Sequence, residues 1–167
     1  LIKINRNLLL FCLFFLISCK SVEKNNSIVF DNSQLEKIDI AAKNININKI
    51  YEPQFSEPYI EHSLKSPPIS RLVSWIENNV NILGLENLIE VNILDASIKQ
   101  TEAINSAAKK FEEKNIYNYE LYYLIEYNLY DDSNYLIATT NVEVYRKTTS
   151  GQYISILEKE NIIDELI

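Results

Sequence analysis

Methionine is absent from all 167 residues, histidine and tryptophan occur once each, and glycine and cysteine only twice each. Each scarcity removes a class of chemistry. With His62 the only histidine, histidine-based catalytic triads and multi-histidine metal sites have nothing to build on. With only Gly84 and Gly151, glycine-rich loops that cradle phosphates are excluded. Basic residues are also in deficit, 16 against 23 acidic, for a net charge of −7. An acidic chain lacks the footprint needed to neutralise phosphates, which argues against nucleic acid as a partner.

What is present begins with Lys3 and Arg6, then an apolar run from Leu8 to Ile17 that stops at Ser18-Cys19-Lys20. The run is about half the roughly twenty residues that a membrane-spanning helix needs, so it reads as a secretory signal peptide over residues 1–18. Leu16-Ile17-Ser18-Cys19 resembles the lipobox of bacterial lipoproteins. The resemblance implies diacylglycerol on the Cys19 sulfur, cleavage before Cys19 and further acylation of the new amine, palmitate being the usual chain. By the sorting pattern of such lipoproteins, Lys20 in place of Asp points to the periplasmic leaflet of the outer membrane. Cys12 leaves with the signal and Cys19 is acylated, so disulfides and a cysteine nucleophile are excluded as well. Loss of Lys3 and Arg6 leaves 14 basic residues against 23 acidic, a mature charge of −9. Such a domain is not drawn to anionic head groups, and the membrane is reached through the lipid.

Residues 19–36 comprise the lipidated cysteine and a Ser, Asn, Lys and Glu tether, with a single α+β domain expected over 37–167. Ile38, Ile40, Ile45 and Ile47 alternate with polar residues but slip phase between the pairs, which predicts one strand with a bulge. Residues 51–65, with Pro53 and Pro58, fit no period and read as an apolar-studded extended segment. Ser66-Pro67-Pro68 announces a helix, the serine as N-cap. Ile69, Leu72, Val73, Ile76, Val80 and Leu83 form its stripe, and Gly84 stands where a C-cap is wanted. A second strand runs from Ile89 towards Ile98, and Lys99 to Asn115 reads as a long charged connection.

Residues 119–146 predict a hairpin turning at Asp132-Ser133. Tyr130 pairs with Tyr135 in this register, Leu129 with Leu136 and Leu121 with Val144. Val142 falls on the buried face. Tyr153, Ile156, Leu157 and Ile163 suit a last helix. The order is β-α-β-β-β-α: a two-layer α+β domain with about four mostly antiparallel strands and both helices on one face. Small periplasmic lipoproteins use this order, among them the outer-membrane partner of the lipopolysaccharide translocon, but function does not follow from topology. Pro58-Tyr59-Ile60-Glu61-His62, Pro68, Trp75, Gly84 and Asp95-Ala96-Ser97 resemble an uncharacterised family of small secreted or lipid-anchored alphaproteobacterial proteins. The sequence departs from that pattern around Lys109, and the resemblance implies a fold and a location rather than a reaction.

No constellation of residues predicts catalysis, a cofactor or a metal site. Glu61 and His62 read as a hydrogen-bonded pair fixing the extended segment, Asp131 and Asp132 as a solvated turn, and Asp95 as a turn or capping residue. Tyrosine is the one excess: eight of the 11 lie between Tyr117 and Tyr145. Tyr119, Tyr123 and Tyr127 belong to the core face. Tyr122, Leu124, Tyr130, Tyr135, Ile137 and Tyr145 lie on the other face and form the expected partner surface, unless residues 51–65 cover it. The expected role is a non-enzymatic accessory of an envelope assembly or transport complex, bound to an envelope protein. The alternatives are a carrier of a small lipid or glycan, with its pocket between the sheet and residues 51–65, and a carboxylate-dependent hydrolase.

Overall fold

The computed structural model describes residues 36–110 and 113–167. The expected signal peptide over residues 1–18, Cys19 and all but the last residue of the tether expected over 19–36 lie outside the described residues. Strict alternation of apolar side chains builds the centre of the domain. β4 (Leu88–Ile104) and β5 (Asn115–Tyr130) pair antiparallel, with Ile98 opposite Leu121, Ala96 opposite Tyr123 and Ile93 opposite Ile125. All six of these side chains are buried on one face. Ile93 and Ala96 share that face only because the ladder shifts between Ile93 and Asp95. Asp95 Oδ1 accepts from the Ser97 amide at 2.8 Å and holds the bulge, its capping role inside a strand rather than after one.

The sheet is completed by β2 (Asn44–Lys49), parallel to β4, and by β6 (Leu136–Gly151), antiparallel to β5. The strand order is β2-β4-β5-β6. α1 (Pro68–Asn79) and α2 (Ile156–Leu166) pack on the same face, burying Ile69, Val73 and Ile76 from the first helix and Ile163 and Leu166 from the second. Tyr123 Oη donates to the Pro68 carbonyl at 3.1 Å, and Arg71 pairs with Asp164 between the helices. The α+β class, the mostly antiparallel sheet of four strands and the helices on one face stand as predicted.

Several local expectations do not. The isoleucines at 38–47 form two strands rather than one bulged strand: β1 (Ile38–Ile40) pairs parallel with β3 (Val80–Ile82) in a separate two-stranded sheet. The phase slip marks the crossing between sheets. α1 opens on Pro68 with no side-chain cap from Ser66, and it ends at Asn79. Asn78 and Asn79 donate side-chain amides to the Ser74 and Trp75 carbonyls and compete with the backbone there. Gly84 therefore caps nothing. It lies against the Ala41–Ala42 backbone, and a Cβ on it would stand 2.5 Å from the Ala42 nitrogen. Gly84→Ala should cost about 1–3 kcal/mol of stability through this overpacking, measured by denaturant unfolding. An unchanged midpoint would disprove the close approach.

Lys99 to Ile104 continues β4, and β5 begins at Asn115, so only residues 105–114 connect them. No helix covers much of that end. Polar side chains are tolerated on both faces, which erases the alternation that marks a strand. α2 buries Ile163 and Leu166 and leaves Ile156 and Leu157 exposed, while Tyr153, expected in the helix, precedes it and is exposed as well. Residues 51–65 run along the β4 edge, where Ile60 N donates to Ile98 O and Gln100 N to Pro58 O. They do not cross the outer face. Glu61 is completely buried and accepts from Tyr51 Oη at 2.7 Å and from Ile98 N at 2.9 Å. His62 is exposed beside Phe55, so the predicted pair is a Tyr51–Glu61 pair instead.

Candidate binding surface on the β5–β6 hairpin

The hairpin turn is built by Asp131. Its Oδ1 accepts from the amides of Ser133 and Tyr135, both at 2.8 Å, and Asn134 adopts a left-handed φ of 63°. Asp132 is ion-paired with Lys43, which holds its carboxyl below the ordinary range. Both carboxylates of the turn are thus engaged within the fold.

This turn and a bulge displace the predicted register by two residues. Leu129 lies opposite Ala138 and Tyr127 opposite Thr140, while Tyr130 lies opposite Leu136, leaving Ile137 as the extra residue. The shift keeps Tyr127, Ile125 and Tyr123 facing the helix side with Thr140, Val142 and Val144. It turns Leu136 to the outer face beside Tyr130, because directly opposed residues share a face.

Of the predicted surface residues, Tyr130, Tyr135 and Ile137 gather at the hairpin tip, with Tyr135 73% exposed. Burial and then Glu90 push the Tyr130 hydroxyl pKa above its ordinary value. Tyr122 and Tyr145 lie directly opposite one another further down, beside the Leu124–Glu143 pair. Tyr122 Oη donates to Glu143 Oε1 at 3.0 Å, which raises the Tyr122 pKa. The two groups are separated along β5 by roughly 20 Å, the rise from Leu124 to Tyr130.

Between them runs a hydrogen-bonded ladder that the sequence reading missed. Asn48 donates to Asn92, Asn92 and Asn128 both donate to Glu126 Oε1, and Thr139 donates to Asn128 Oδ1, at 2.7–2.9 Å. It spans all four strands. The signal was there: asparagine is depleted in strands, yet Asn48, Asn92 and Asn128 occupy outward strand positions.

The helix layer reaches the lower end of β6 and stops short of its first half. Residues 136–143 are exposed on both faces, and Val142, expected in the core, is 40% exposed. A groove of about 240 Å³ opens there, lined by Ile40, Ile89, Tyr127, Leu129, Ala138 and Thr140. β6 is also the outer strand of the sheet, and among the described residues its free side pairs with no other strand.

Comparison of the sequence with protein-family models and with curated proteins finds no match. Among solved structures, the chain is similar to rare lipoprotein B from Shewanella oneidensis, at 15% identity. The similarity covers 74% of this chain and 80% of that one, with a TM-score of 0.32. Neither site nor function is transferred at that distance. The family resemblance read from Pro58–His62 and Asp95–Ser97 gains no support.

What the surface can do follows from its own chemistry. The tip offers exposed aromatic and aliphatic groups, the middle a saturated polar ladder, and the flank a strand with free backbone donors and acceptors. These are means of binding. Glu61, Asp95, Asp131 and Asp132 each hold part of the fold.

Proposed function

We propose that this chain is a lipid-anchored, periplasm-facing envelope protein that binds a protein partner through the β5–β6 hairpin and catalyses no reaction. One observation carries the reading: Leu136 to Val142 is an uncharged, proline-free strand, exposed on both faces and at the sheet edge. Left bare, such a segment is an aggregation hazard; natural edges are covered, charged or interrupted. The engagement of the candidate carboxylates supports a binding role over hydrolysis.

Photo-crosslinking from Tyr135 in intact cells should capture an envelope protein. Tyr135→Ala should weaken complex formation by about 1–2 kcal/mol, as loss of an aromatic anchor does. Melting should barely move, because the ring is exposed and residues 51–65 lie elsewhere. Unchanged capture would remove the tip from the interface. The apolar groove favours a second reading, a carrier of a small lipid; it lies between β1 and the hairpin, not under residues 51–65. Native mass spectrometry of protein extracted from membranes would show a bound lipid mass beyond the anchor, and its absence would eliminate this reading.

A further inference from the structure

A free strand edge binds another strand, and the residues of β6 specify which one. Consider two copies joined edge to edge along β6, antiparallel, about a two-fold axis normal to the sheet. Each residue then faces a residue of the second copy on the same face of the joined sheet. The register is fixed by the residue that faces its own mate. Centred on residue 143, 146 or 147, the pairing sets Glu143, Arg146 or Lys147 against itself. Centred on 142 or 144, it leaves all three opposite uncharged residues. Centred on 145, it sets Glu143 opposite Lys147 twice, with Tyr145 opposite Tyr145 between them.

Opposite charges and aromatic pairs directly across a ladder are the favourable ones. Lys147 already bonds Glu120 Oε1 at 2.9 Å and Glu143 already accepts from Tyr122. The joined sheet would therefore carry one row from Glu120 through Lys147 to Glu143 and Tyr122 of the second copy. On the helix side, the same register brings Ala138, Thr140 and Val142 of each copy beside the lower end of the other copy's β6. There α2 begins, with Tyr153, Ile156 and Leu157 exposed. Each copy's uncovered apolar surface meets the other's.

We infer that the β6 edge pairs with β6 of a second copy, in the register that sets Tyr145 against its own mate, and makes one eight-stranded sheet. This rests on the reading of the hairpin as an interface and names its occupant.

Directly opposed residues have Cβ atoms about 4.5–5.5 Å apart, within reach of a disulfide after small adjustment. In the lipid-anchored protein in cells, Tyr145→Cys should run mostly as a covalent dimer on a non-reducing gel, against a monomeric parent. Glu143→Cys and Lys147→Cys should each stay monomeric alone and crosslink when expressed together. Tyr145 is exposed, and an unchanged melting temperature confirms that the variant is folded. Glu143→Lys and Lys147→Glu should each weaken self-association about tenfold by creating two like-charged pairs, and the double swap should restore it. Crosslinking at all three positions alike, or at none, overturns the register and the dimer. A photo-crosslinker at Tyr145 that captures a different protein and no second copy overturns the dimer and spares the hairpin as an interface. Capture of nothing overturns both.

Discussion

Replacing Glu61 by alanine should destabilise the domain by about 3 kcal/mol, the largest loss expected from any single polar side chain described above. The carboxylate is completely buried, and its Oε1 accepts from Tyr51 Oη and from the Ile98 amide. β2 leaves the β4 edge after Ile50 and Tyr51 donate to the Ile93 carbonyl, and the segment around Tyr59 rejoins it at Lys99. Between the two lies the β4 bulge, where no strand supplies a partner for Ile98 N–H. Glu61 supplies it. Alanine would leave the buried Ile98 amide unpaired, at about 1–3 kcal/mol, take the acceptor from the half-buried Tyr51 hydroxyl, and open a void besides. For a domain of this size the melting temperature should fall by roughly 10 °C.

Glu61→Gln keeps an acceptor for both donors and should lose less. Its new NH₂ would stand where Glu61 Oε2 has no partner, so some loss remains. Tyr51→Phe removes one bond alone and should cost about 1 kcal/mol. Burial and then the Glu61 bond raise the Tyr51 pKa, keeping its hydroxyl a neutral donor through the ordinary pH range. Thermal melts of the three variants would order them Ala, then Gln and Phe. Equal melts for Ala and the parent would show that residues 51–65 are not held by this residue.

The sequence displayed this domain where one periodicity ran unbroken. Tyr119, Leu121, Tyr123 and Ile125 alternate without interruption, and their face was legible. The exposure of the same face on β6 was not. A strand pattern says which side chains share a side, but not whether a helix reaches that side. Ala138, Thr140 and Val142 point towards the helix layer and find no helix above them. The register failed by two because Asp131 and Asn134 build a longer turn than Asp132-Ser133 suggested, and Ile137 is bulged. One bulge within the hairpin was enough to move Leu136 across the sheet. The separate β1–β3 pairing was illegible for another reason: a parallel contact between residues some forty positions apart leaves no local trace. At the candidate site, the exposure of Tyr135 and Ile137 was readable from alternation, and that of Leu136 was not. The uncovered edge, which decides what can bind, appears only once the strand order is known.

A second large effect concerns the first residues, whose consequence is location rather than stability. Cys19→Ala should eliminate acylation altogether. Two or three acyl chains contribute ~0.8 kcal/mol per buried methylene, enough to make release negligible, whereas one chain binds reversibly. A chain cut before Cys19 would carry a charge of −9 and find no second attachment, since anionic head groups repel it. Such an anchor would be all or nothing, and salt washes should leave the parent protein on the membrane. For the variant, two readouts separate the outcomes. Labelled palmitate reports the acyl chain directly, and electrophoretic mobility reports whether residues 1–18 remain. No label with full-length mobility is an uncleaved precursor, still held by its apolar run from Leu8 to Ile17. No label with mature mobility is a protein cut elsewhere and free in the periplasm. Either result assigns the lipid to Cys19. Label retained by the alanine variant would place it on another residue, and the lipobox reading of Leu16-Ile17-Ser18-Cys19 would fall with the membrane location that rests on it.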